Sequence, residues 1–155
     1  TPTLHAATST SGDVLFQTTE IPNAVSSRGG VSRLTGVMFT CKQSLALNID
    51  FFIMQVKTDF NDGTLGNALN ISDADLVSCK PLCGLAWQGA PIALNGNEIN
   101  QYTSDASNND PGQLPVLLKA EEGSTSVYFT AIDRDGSDTF VDGDLTFIFS
   151  IEYLG

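Results

Sequence analysis

The densest set of potential ligands in the chain is the acidic run Asp133-Arg134-Asp135-Gly136-Ser137-Asp138-Thr139-Phe140-Val141-Asp142-Gly143-Asp144. Hard oxygen donors at alternating positions are what a calcium ion takes. The details fit poorly. Glycine stands fourth where a calcium loop has it sixth, the twelfth residue is Asp instead of Glu, and strand-like sequence flanks the run. A solvated loop with Asp-Gly turns is the expectation, with calcium as the alternative. The soft donors are Cys41, Cys79 and Cys83. Cys79 and Cys83 are separated by three residues, not the two of a zinc knuckle or redox pair, and no further soft ligand stands nearby. An odd and sparse set of cysteines also argues against a disulfide framework. Reduced thiols acting as small hydrophobes are expected.

Nucleophilic catalysis needs a base held rigidly beside its nucleophile. The single histidine is His5, close to the N-terminus, and no Gly-x-Ser-x-Gly elbow occurs. No P-loop and no dinucleotide fingerprint are present. Asp50, Asp59 and Glu98 offer carboxylates for glycosidase chemistry, but any acidic β-protein offers such pairs, and only geometry gives them meaning. Trp87, Tyr102 and Tyr128 could stack against a sugar. Trp87 follows the apolar residues Leu82, Leu85 and Ala86 and reads more naturally as core or interface. Asn70-Ile71-Ser72 matches a glycosylation sequon, a triplet common by chance. The expectation is a protein that is not an enzyme, with no catalytic, cofactor-binding or metal residue assigned and no cofactor.

Composition narrows the remaining classes. The chain has 155 residues, one domain's worth. A domain of that size buries roughly 70% of its unfolded surface and needs neither disulfide nor metal for stability. Charged residues make up 16% of the chain, against about 25% in a usual soluble protein. Ser, Thr, Asn and Gly fill the gap, as in all-β folds with weakly charged surfaces. Seven basic residues stand against eighteen acidic ones, a formal charge of -11. Such a chain repels a phosphate backbone at long range, so neither nucleic acid nor an anionic membrane is expected as a partner. No apolar run approaches a membrane span, and the N-terminus shows neither the basic nor the apolar part of a leader.

The elements that would position any site are strands. Residues 1–12 are small and polar and predict a flexible N-terminal arm, with 13–155 as a single β-sandwich domain. Strand patterns cover Asp13–Glu20, Ser32–Cys41, Ser44–Thr58, Leu114–Ala120 and Ser126–Ile132. In the long stretch 44–58 the apolar phase changes near Phe52, which predicts a bulge or a strand shared by two sheets. Ile92 to Ile99 centres on Asn95-Gly96, a strong hairpin signal. The last pattern places Leu145, Phe147, Phe149, Ile151 and Tyr153 on one face, which predicts a central or well-covered strand. One short connector helix is expected over 72–80, with Ser72 as N-cap, Asp73 and Asp75 at the positive end, Lys80 at the negative end and Pro81 as its stop. The fold class is all-β: an antiparallel β-sandwich, jelly-roll-like, with that one helix. The Cys…Trp…Cys hallmark of immunoglobulin domains is missing, since Trp87 follows all three cysteines.

Several short segments, taken in order, carry a likeness to a known family. They are Gly12-Asp13-Val14, Gly30-Val31-Ser32-Arg33-Leu34, Asn48-Ile49-Asp50-Phe51-Phe52, Ile71-Ser72-Asp73-Ala74-Asp75-Leu76, Leu114-Pro115-Val116 and Asp144-Leu145. In this order and spacing the chain, over roughly residues 12 to 155, resembles small tailed-bacteriophage capsid decoration (cement) proteins. The order of the segments carries the likeness, not any one of them. The chain departs from the pattern at Cys79-Lys80-Pro81-Leu82-Cys83 and in the acidic run. The resemblance implies a virion structural protein on the outer capsid surface. It would be a homotrimer, with the major capsid protein as its partner. A tail- or fibre-associated protein that binds glycans is the alternative.

Overall fold

The computed structural model describes residues 1–4, 8–43, 47–61, 66–88, 92–94, 97–103, 114–136 and 138–154; at 88, 92–94 and 97–103 it describes the backbone alone. The strands are β1 (Thr19–Ile21), β2 (Val31–Cys41), β3 (Asn48–Met54), β4 (Pro81–Gln88), β5 (Ile92–Leu94), β6 (Asn97–Thr103), β7 (Val116–Lys119), β8 (Val127–Asp133) and β9 (Leu145–Tyr153); the helix is α1 (Asp73–Ser78). The protein is an all-β sandwich of two packed antiparallel sheets with one short helix. The first sheet has the order β1-β8-β3-β4. In the second, β2 is the central strand. From Ser32 to Cys41 it pairs with β9 on one side, with a register irregularity between Leu34 and Gly36, while β7 and β6 share its other side end to end, and β5 lies beyond β6. β5 and β6 pair antiparallel on either side of Asn95-Gly96, as the hairpin signal requires; the two turn residues lie outside the described residues.

Alternation fills the space between the sheets with phenylalanine. Phe147 of β9 lies 5.3–5.6 Å, centroid to centroid, from the rings of Phe16, Phe39, Phe51 and Phe129. Phe39 also meets Trp87 edge to face at 5.7 Å. Such contacts add about 0.5–1.5 kcal/mol each beyond area burial.

The first sheet has a second, outer cluster of Val14, Met54, Phe60 and Cys79, with Phe52, Ile71 and Tyr128 packed around it. This cluster explains the changed phase in β3. Phe51 and Ile53 keep facing inward, and Met54 is buried because the opposite face acquires its own cover. A register irregularity is present between Ile53 and Met54, and it belongs to the pairing with β4: Ile53 opposes Cys83 and Met54 opposes Pro81. The pairing of the same residues with β8 is unbroken.

Three expectations need correction. Residues 1–12 do not stand clear of the sandwich at their described positions. Leu4 is buried and bridges to Phe16, and Ser9 is buried against the loop after β8. Polar residues there meet buried polar groups, which composition alone reads as solvation. The first strand is shorter than 13–20, because 13, 14 and 16 make only isolated bridges ahead of β1. At the helix, the Ser72 hydroxyl caps the Asp75 N–H at 3.1 Å as expected. The helix ends at Cys79, however; Lys80 turns left-handed beyond it, and Pro81 opens β4, a strand the patterns did not indicate.

Candidate functional site

The acidic run is divided: Asp135 and Asp142 are exposed, while three of its carboxylates are withdrawn from solvent. Asp133 is fully buried, and Asp138 and Asp144 are nearly so. The Asp133 carboxylate accepts the Ser9 hydroxyl and the N–H groups of Asp135 at 2.9 Å and Gly136 at 3.3 Å. Asp144 accepts the Val141 N–H at 2.9 Å and the Gln43 amide. Asp142 accepts the Leu4 N–H at 3.2 Å. The Asp138 carbonyl receives both the N–H and the hydroxyl of Ser9, at 2.9 and 3.0 Å. A calcium site needs oxygens converging on one point. These oxygens instead turn toward separate N–H and O–H groups, and among the described residues no three His, Cys, Asp or Glu side chains form a metal-sized group. The expected solvated loop is so only in part: Arg134, Asp135, Thr139, Val141 and Asp142 are exposed, while Asp133, Asp138 and Asp142 fasten residues 1–12 through Ser9 and Leu4.

The other candidates are held apart. Cys79 belongs to the outer cluster of the first sheet, while Cys83 packs against the core between the sheets. The sheet therefore lies between the two thiols, and none of the three cysteines is in a disulfide. Burial alone pushes the Cys83 thiol up to about 12, and burial is the leading cause of the upward shift at Cys79. Trp87 faces the inner core and Tyr128 the outer cluster, so they cannot line one sugar site. The side chain of Tyr102 lies outside the described residues, as do His5 and the side chain of Glu98. Asp50 receives Arg134 Nε at 2.6 Å, and Asp59 receives the Thr18 N–H at 3.3 Å. No described helix is long and apolar enough to cross a membrane.

The surface feature that remains is the edge of the second sheet. The pattern of β9 predicts a strand that is central or well covered. It is the outer strand: all its residues from Leu145 to Tyr153 pair with β2 on one side, and among the described residues no strand pairs on the other. Its inward residues Phe147, Phe149 and Ile151 are only half-buried at this rim, and Ile148 on the outer face is 48% exposed. Natural edge strands are usually blunted by shortness, lysine, proline or a bulge. The other edges follow that rule. β1 and β5 have three residues each, and β4 begins with Pro81 and carries the register irregularity. β9 has nine residues without Lys, Pro or Gly, and its one charge, Glu152, is paired with Arg33 at 3.4 Å; the register irregularity in its pairing with β2 places the extra residue, Thr35, on β2 and not on the open strand. Such an edge offers a row of backbone donors and acceptors to an added strand.

Comparison with family models, curated proteins and solved structures gives no match to this chain.

Proposed function

We propose that this protein acts by contact, as a phage virion structural protein that decorates the outer surface of an icosahedral head. Its partner is the major capsid protein, and it assembles as a homotrimer. The unguarded β9 edge carries this proposal. A nine-residue strand open along one side binds through main-chain hydrogen bonds, and its half-buried apolar side chains supply area that an incoming strand would cover. Two aromatic and aliphatic clusters on either side of the first sheet make a stiff slab, which suits a clamp. Equivalent contacts from three copies would turn modest individual affinities into tight attachment. The ordered resemblance of the segments from Gly12 to Leu145 supplies the identity of the surface. No described geometry favours the tail or glycan alternative, since Trp87 and Tyr128 face opposite ways.

The test is an edge charge. Ile148→Lys places an ammonium on the exposed outer face next to the open edge, where the cost to folding is within about 0.5 kcal/mol. Light scattering of the wild type should report a trimer, and the variant should dissociate and fail to co-sediment with undecorated shells. A monomeric wild type, or a variant that assembles and binds shells normally, overturns the proposal. Copy number in purified virions adds an independent check: parity with the shell subunit supports head decoration, and a handful of copies points to the tail.

A further inference from the structure

Three of the seven basic residues, Arg28, Lys80 and Lys119, line one open cleft of about 600 Å³, in a chain whose net charge is -11. The cleft lies where the turn after α1, the end of β3, the end of β7 and the loop before β2 meet. Backbone bonds tie these walls together. Gln55 N–H donates to the Lys80 carbonyl at 3.1 Å, and the Gln55 side-chain amide donates to the Ala120 carbonyl at 2.9 Å. Ala120 N–H in turn donates to the Gly30 carbonyl at 3.2 Å, and Gly29 N–H to Ser124 at 2.9 Å. Gln55 thus bridges the segments that carry Lys80 and Lys119, so the spacing of the backbone positions from which the two lysines project is set by the sheet framework.

Two further observations point to a ligand. Among the described residues neither Arg28 nor Lys119 has an ion-pair partner, and Lys80 has only the half-exposed Glu121, at 2.9 Å. An exposed pair of that kind exchanges readily with a competing anion. Lys80 also sits just past the helix C-cap with φ 51, a left-handed position where glycine is the favoured residue. A cation is held there at a conformational cost, as recurs at binding sites.

We propose that this cleft binds a small oxyanion, a phosphate or a carboxylate group, held by the Arg28 guanidinium and the Lys80 and Lys119 ammonium groups. Arg28 supplies paired planar donors, and the two lysines supply charge. Glu122, also on the wall, limits the net positive charge of the cleft. The site is separate from the β9 edge and does not depend on the decoration role.

Calorimetric titration of the whole chain with inorganic phosphate, and separately with citrate, tests this. At least one should bind saturably, with an affinity that falls as salt rises. Lys80→Gly, which suits the left-handed backbone, should keep the fold and weaken binding by about tenfold or more. Arg28→Gln and Lys119→Gln should each weaken it several-fold, while Lys57→Gln, outside the cleft, should leave it unchanged. A response to phosphate alone assigns the site to phosphoryl groups, and a response to citrate alone assigns it to carboxylates. Absence of saturable binding by both, or wild-type affinity in Lys80→Gly and Arg28→Gln, overturns the proposal.

Discussion

The acidic loop after β8 and the basic cleft beside Lys80 are two charged regions that treat charge in opposite ways. In the loop, Asp133, Asp142 and Asp144 each have an internal donor, and the N-terminal residues Leu4 and Ser9 supply those of Asp142 and Asp133. In the cleft, Arg28 and Lys119 have no described carboxylate partner, and Lys80 is tethered only at the surface. A dense run of like residues turned out to be architecture, and a scattered trio turned out to be the open charged surface. What separates them is the supply of partners. Buried carboxylates must be hydrogen-bonded or they destabilise the fold, whereas exposed cations bear little such demand.

The sharpest way to break this contrast is at Asp133. Asp133→Ala leaves the Ser9 hydroxyl and two backbone N–H groups without their acceptor, at a cost of about 3 kcal/mol. Chemical denaturation should show that loss, and near-wild-type stability would mean the loop is not a fastening. Lys80→Gly should change stability far less, within about 1 kcal/mol, because relief of the left-handed strain offsets the loss of the Glu121 pair. A large destabilisation there would make Lys80 a structural residue like Asp133. Added calcium should leave the thermal midpoint where it was, since the loop carboxylates are already engaged; a rise with calcium concentration would reinstate the loop as a metal site.

The smallest effect extends the contrast to the thiols on the two faces of the first sheet. Cys83, raised from 9.0 to about 12 by burial, should react slowly with thiol reagents at neutral pH. The sign of its linkage follows. Above pH 9 the unfolded thiol loses its proton while the folded one keeps it, so its stabilising contribution is complete below 9 and declines between 9 and about 12. Stability that rises across that range would contradict the burial of Cys83.

Strand periodicity made most of the architecture legible. β2, β8, β9 and the β5–β6 hairpin were readable from alternation and from Asn95-Gly96, and the cap at Ser72 from its residue type. β4 escaped because Pro81-Leu82-Cys83-Gly84-Leu85-Ala86-Trp87 lacks a polar alternate face, and a proline at its start reads as a stop. The edge position of β9 escaped for a different reason. Alternation records which face a strand buries, while pairing depends on what lies alongside it, and no residue type in Leu145–Tyr153 reports that. The cleft left no local trace either, since Arg28, Lys80 and Lys119 are far apart in sequence and meet only once both sheets form. The acidic run, by contrast, was conspicuous because its residues are contiguous, and contiguity says nothing about which donors reach them.

The union of β9 with β2 has a kinetic consequence. The ring that fills the middle of the aromatic core, Phe147, is delivered by a strand synthesised after the eight other described strands. A nascent chain that has emerged only as far as residue 144 holds Phe39, Phe51 and Phe129 with no lid over them, and long-range pairing of this kind is slow. Until translation has passed Tyr153, the growing polypeptide exposes apolar surface that the finished sandwich covers.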